Sequence, residues 1–73
     1  MFILLTSPRC EECVKAKEVL RRAGIEFREV SVTTDEGLKI GVAYGLTHVP
    51  ALIADKVYIG LNEIKKFIKN KSD

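Results

Sequence analysis

The only two cysteines, Cys10 and Cys13, lie at the seam between an apolar run, Phe2-Ile3-Leu4-Leu5, and a helical pattern that begins immediately behind them. Four consecutive apolar residues suit a central strand covered on both faces. Thr6-Ser7-Pro8-Arg9 ends that strand, because Pro8 cannot donate to a ladder and Ser7 and Pro8 favour turns. The thiols therefore emerge on a loop at the C-terminal end of a buried strand. The first occupies a helix N-terminus, where unpaired amide N–H groups and the helix dipole favour a thiolate; the second lies one turn deeper. Two thiols so placed can close a small disulfide ring and reopen it, exchanging two electrons with a partner's disulfide through a mixed disulfide.

Other uses of a C-x-x-C pair fit less well. A structural zinc site takes four ligands, and besides the cysteines the chain offers one histidine, His48. A purely structural disulfide across two residues closes so small a loop that it removes little denatured-state entropy. A soft-metal carrier, with both thiolates on copper ahead of a helix, remains open.

Size and charge narrow the field further. A chain of 73 residues with two cysteines has no disulfide framework, so residues 1–73 are expected to form one domain that buries its apolar side chains efficiently. A formal charge of +2 is too small to argue for nucleic acid. Lys65, Lys66, Lys69 and Lys71 read instead as the solvated face and last turn of a helix. The apolar start is too short for a leader and nothing approaches membrane-spanning length. The expectation is a cytoplasmic monomer with no membrane partner, in a compartment where thiols stay reduced.

Strand and helix then alternate. Residues 11–23 form a helix with Cys13, Ala16, Leu20 and Ala23 on one stripe, and Glu11 with Lys15 and Glu18 with Arg22 as i,i+4 pairs. Gly24 closes it. Residues 25–32 suit an edge strand guarded by Glu26, Arg28 and Glu29. Thr33 and Glu36 have the spacing of a capping box for a helix ending at Tyr44, weakened by Gly37 and Gly41. Residues 51–54 and 57–59 read as a hairpin turning on Asp55-Lys56, and a last helix is capped by Asn62, with Leu61, Ile64, Phe67 and Ile68 as its stripe. The order is βαβαββα: a four-stranded mixed sheet flanked by three helices.

Element order, the C-x-x-C after the first strand, and the segment Tyr44-Gly45-Leu46-Thr47-His48-Val49-Pro50-Ala51 together resemble the thioredoxin/glutaredoxin superfamily. The resemblance covers nearly the whole chain. It implies a thioredoxin fold, Cys10 as nucleophile and Cys13 as resolving thiol, and a cis Val49–Pro50 bond that presents backbone to a partner peptide or to glutathione. It also implies a binding surface of Arg9, His48, Val49, Pro50 and Gly60. Glutaredoxins usually carry threonine at the position of His48; an imidazole there, close to Cys10, could take its proton or, charged, lower its pKa. No cofactor is implied beyond the redox-active pair. The implied partners are protein disulfides, with a thioredoxin reductase or glutathione as electron donor.

The chain departs from both branches of that family. Thioredoxins carry tryptophan ahead of the motif and Gly-Pro within it, where this chain has Arg9 and Glu11-Glu12. They also place a buried aspartate six residues ahead of the first cysteine; here that residue is Leu4, so no buried carboxylate is apparent to take the Cys13 proton. Glutaredoxins carry Pro-Tyr in the motif and Gly-Gly-x-Asp ahead of the last helix, where glutathione's carboxylate binds. This chain keeps only Gly60 of that pair, followed by Leu61-Asn62-Glu63. Copper-chaperone domains resemble the chain up to Val32 but continue as a β-hairpin, and usually carry methionine at the position of Pro8.

Overall fold

A computed structural model describes residues 2–46 and 48–71. Its elements are β1 (Phe2–Thr6), α1 (Glu11–Arg22), β2 (Phe27–Ser31), α2 (Asp35–Tyr44), β3 (Ala51–Ile53), β4 (Val57–Ile59) and α3 (Leu61–Lys71). The four strands make one sheet in the order β2-β1-β3-β4. β1 runs parallel to β2 and antiparallel to β3, and β3 runs antiparallel to β4. This is the expected mixed sheet with three helices, the thioredoxin fold.

Strand β1 is central and buried on both faces, with Leu4 and Leu5 each 0% exposed. Alternation sends them to opposite sides. Leu4 joins Ala16 and Leu20 of α1, Leu52 of β3 and Ile64 of α3. Leu5 joins Val30, Ala51 and Ile53, with Ile40 of α2 packed against them. Helices α1 and α3 thus cover one face and α2 the other. Each buried leucine contributes about 1.5–3 kcal/mol by leaving water, so one short strand nucleates two cores.

Several local expectations shift by a residue or two. β2 is shorter than residues 25–32, and Ile25 is buried in the connection from α1. Ala23 is exposed at the end of α1 and does not extend its stripe. The cap of α2 is Thr34, not Thr33: the Thr34 hydroxyl accepts the Gly37 N–H at 3.1 Å. The Thr33 hydroxyl pairs with Ser31, and Glu36 forms a two-bond ion pair with Arg28, with oxygens at 3.1 and 2.6 Å. That guanidinium holds the Glu36 carboxyl below the usual carboxylate range. α3 begins at Leu61, and the Gly60 carbonyl accepts the Ile64 N–H at 3.1 Å; Asn62 is therefore inside the helix and not its cap. The hairpin turns over residues 54–56, one more than expected, because Ile53 pairs with Val57. Among the described residues neither Glu11 with Lys15 nor Glu18 with Arg22 closes into an ion pair; Lys17 reaches Glu29 on β2 instead.

Gly37 and Gly41 are equivalent as helix-weakening residues in the sequence, and the structure separates them. A Cβ on Gly37 would overlap the Ser31 carbonyl oxygen and stand 2.9 Å from the Val32 Cα, so bare backbone is what lets α2 lie against the end of β2. A Cβ on Gly41 would meet nothing within 4 Å. Gly41→Ala is therefore expected to raise stability by about 0.5–1 kcal/mol, and Gly37→Ala to lower it by about 1–3 kcal/mol. Urea unfolding of the two variants checks this. Changes of the same sign would mean that α2 does not contact β2 through Gly37.

Candidate active site

Thr6 is the last residue of β1, and the chain then turns through Ser7, Pro8 and Arg9 to reach α1. Arg9 takes a left-handed backbone conformation, φ 63°, uncommon for a residue with a side chain. That turn sets Cys10 as the N-cap of α1, with φ −109° and ψ 103°. Its sulfur accepts the Cys13 N–H at 3.1 Å, and its carbonyl accepts the Val14 N–H at 3.3 Å. The sulfur thus takes the place that a serine or aspartate oxygen fills in an ordinary cap. Cys10 and Cys13 are joined as a disulfide, their Cα atoms 5.2 Å apart.

The two sulfurs have unequal access. Cys10 is half-buried at the surface, whereas Cys13 is 2% exposed on the stripe of α1 that also buries Ala16 and Leu20. In the reduced protein the amide bond to Cys10 and the dipole of a 12-residue helix both favour its thiolate. Glu11 and Glu12, exposed in the first turn, act against it by like-charge repulsion.

An open cleft of about 550 Å³ reaches the disulfide, with Arg9 and Glu11 at the cysteines and Thr6, Lys17 and Glu29 along its wall. The last three are site residues that the sequence reading missed. Glu29 accepts the Thr6 hydroxyl at 2.9 Å and the Lys17 ammonium at 3.2 Å. Burial pushes its carboxyl up, but the Thr6 and Lys17 hydrogen bonds and the charges of Lys17 and Arg21 outweigh that and hold it below the usual carboxylate range. A signal was available: Lys17 lies four residues beyond Cys13, hence on the same helix face.

Of the expected binding surface, Arg9 shares the cleft with the cysteines. His48 and Val49 line a neighbouring groove of about 330 Å³ with Leu46, Val32 and Gly41, and Ser7 borders both. The Val49–Pro50 bond is cis. Pro50 is buried, and its carbonyl accepts the Gly60 N–H at 2.8 Å. Gly60 has φ +91°, which a side chain would strain. Pro50 and Gly60 are thus brought together, but they line neither groove. Thr47 lies outside the described residues. Among the described residues no three His, Cys, Asp or Glu side chains gather as metal ligands, and no helix is long and apolar enough to cross a membrane.

The family model described as Glutaredoxin matches residues 2–59. The chain belongs to the glutaredoxin family, within the thioredoxin/glutaredoxin superfamily. A probable thioredoxin of Archaeoglobus fulgidus is 38% identical over 63 residues, spanning 81% of this chain and 69% of its own. A glutaredoxin of Pseudomonas aeruginosa is 28% identical over 60 residues, spanning 80% of this chain and 71% of its own. Among solved structures, the glutaredoxin-like protein NrdH-redoxin of Escherichia coli shares the fold, with a TM-score of 0.78 at 22% identity over 94% of this chain and 91% of its own. Family and cysteine pair together make this glutaredoxin-family chain a redox protein of the thiol oxidoreductase type. After β2 it enters α2, not the β-hairpin that the copper-carrier alternative requires.

The difference in access has a direct readout. Limiting iodoacetamide on the reduced protein, followed by peptide mass spectrometry, is expected to label Cys10 well before Cys13. Labelling of Cys13 first would reverse the order of reactivity assigned to them.

Proposed function

We propose that this protein is a dithiol reductant of protein disulfides, with Cys10 as the attacking thiol and Cys13 as the resolving one. The observation that carries the reading is the Cys10 sulfur capping α1 above a buried Cys13. The Cys10 thiolate attacks a partner's disulfide and forms a mixed disulfide; Cys13 then displaces the partner, which leaves reduced. The two sulfurs are themselves the redox couple, so no further cofactor enters the cycle. Val49 and His48, in the groove beside the thiol loop, would seat the partner's extended backbone next to Cys10.

A protein reductase of the thioredoxin reductase type is the electron donor we favour over glutathione. Gly60 is followed by Leu61-Asn62-Glu63, and Glu63 places an acidic side chain in the first turn of α3. A carboxylate there repels the carboxylate of glutathione that the family binds in front of this helix. The relative of Archaeoglobus fulgidus described as a probable thioredoxin, and the Escherichia coli protein described as having a thioredoxin-like activity profile, point the same way. The protein would act as a monomer in a reducing compartment such as the cytoplasm.

With a thioredoxin reductase and NADPH the oxidised protein is expected to regain its thiols and to sustain insulin reduction. With glutathione and glutathione reductase it should do so at least tenfold more slowly. Cys10→Ser should abolish turnover, and Cys13→Ser should accumulate mixed disulfides. Faster recovery with glutathione would overturn the choice of donor, and turnover surviving Cys10→Ser would overturn the mechanism.

The two glutamates in the motif bear on the direction of electron flow. By opposing the Cys10 thiolate they destabilise the reduced form, which makes the dithiol more reducing. Replacing both with glutamine is expected to lower the Cys10 pKa and raise the reduction potential, each 30 mV corresponding to about 1.4 kcal/mol. Equilibration against glutathione redox buffers measures both forms, and an unchanged or lower potential in the variant would show that backbone geometry in the motif matters more than its charge.

A further inference from the structure

Glycine inside a helix lowers its stability relative to alanine, so Gly41 of α2 needs a reason. Its own packing supplies none. The backbone there is helical and not left-handed, and a Cβ would meet nothing within 4 Å. Yet the position faces inward. Gly37, one turn earlier on the same side of α2, lies against the Ser31 carbonyl, and Ile40 packs on the core around Leu5. The space that a side chain at Gly41 would enter is the groove of about 330 Å³ between α2 and the loop carrying Leu46, His48 and Val49.

Among the described residues that groove is lined without a Lys, Arg, Asp or Glu. Leu5 and Val32 on the sheet side and Leu46 and Val49 on the loop side all belong to the second core or pack against it, so the groove opens into that core. The cysteine cleft is different in character, with Arg9, Glu11, Lys17 and Glu29 in its lining. Ser7 borders both, which makes the apolar groove continuous with the place where a partner meets Cys10.

We propose that Gly41 is a specificity-determining residue: by withholding a side chain it keeps the groove open for a large apolar side chain of the partner protein, close in sequence to the cysteine under attack. This rests on the reading of the protein as a reductant of protein disulfides, and it states which disulfides are preferred. Extended backbone seated along Val49 sends successive side chains to alternate sides, so a residue one or two positions from the reacting cysteine enters the groove. An aliphatic or aromatic side chain loses water there against Leu5, Val32 and Leu46. A carboxylate would lose its hydration and meet no Lys or Arg in the described lining. Helix α2 is thus less stable than it could be because this position is kept for a ligand.

Two short peptides test this. Each holds one cysteine in disulfide linkage to an aromatic thiol that absorbs light on release; in one the cysteine is flanked on each side by two leucines, in the other by two serines. Each rate is taken relative to that of free dithiothreitol on the same peptide, which removes the peptides' intrinsic difference. The reduced protein is expected to favour the leucine peptide about tenfold in kcat/KM, the low side of apolar-pocket discrimination because the groove is open to solvent. In Gly41→Leu, whose side chain fills the groove, the ratio should fall to within about twofold through a raised KM for the leucine peptide. Gly41→Ala should lie between. General damage to the cysteines or the fold slows both peptides and leaves the ratio alone. An undiminished ratio in Gly41→Leu, or no preference for leucine in the unmodified protein, would overturn the inference; if Gly41→Leu does not fold, Gly41→Ala decides by the same ratio. An unmodified protein that releases thiol from neither peptide overturns the proposed function instead.

Discussion

A short strand buried on both of its faces is the constraint on which everything else rests. Leu4 and Leu5 point in opposite directions and both lose all contact with water. A strand in that position must be flanked by other strands and roofed on each side, and a small chain has few elements to supply. It uses α1 and α3 on the Leu4 side and α2 on the Leu5 side. The end of such a strand is where a loop can be both firmly anchored and open to solvent, and the cysteine pair occupies it.

That anchoring is what turns two ordinary cysteines into a chemically unequal pair. Cys10 sits where the helix presents amide donors, and Cys13 sits where the same helix presents its inward face. One backbone geometry thus leaves one sulfur at the surface, bonded to a helix amide, while shielding the other. The helix end and the two motif glutamates pull the Cys10 thiolate in opposite directions. The balance between them is a property of side chains that project into solvent, so it can be retuned without disturbing the core beneath.

The parts of the architecture legible in the sequence were those set by hydrophobic period and by glycine or proline punctuation. The β1 run, the Cys13-Ala16-Leu20 stripe, the Ile64-Phe67-Ile68 stripe and the break at Gly45 all appear where the pattern puts them. What escaped depended on which of several eligible partners a side chain meets once the chain is folded. Thr33 and Thr34 are equally able to cap, and the choice falls to Thr34 because the Ser31 carbonyl accepts its hydroxyl and amide at 2.7 and 3.1 Å. Glu36 has capping-box spacing only if Arg28 is ignored. Lys17 and Glu29 are both unremarkable surface residues until the parallel pairing of β1 with β2 sets Glu29 beside Leu4, where Lys17 of α1 reaches it. Cys10 and Cys13 could be picked out because their chemistry is local; the residues that complete their surroundings could not, because their chemistry is tertiary.

The meeting of Gly37 with the Ser31 carbonyl has a bearing on how such a protein could diversify. Where two elements touch through side chains, exchange of one side chain for another lets them slide or tilt. Here the spacing is set by peptide groups on both sides, so no substitution can bring α2 closer and any larger residue at that point pushes it away. The helix is therefore a fixed wall, and the Leu46 amide bonded to the Gly41 carbonyl at 2.8 Å ties the start of the following loop to it. Variation in partner preference is then channelled into the side chains of Leu46, His48 and Val49, which can change size and charge against a boundary that does not move.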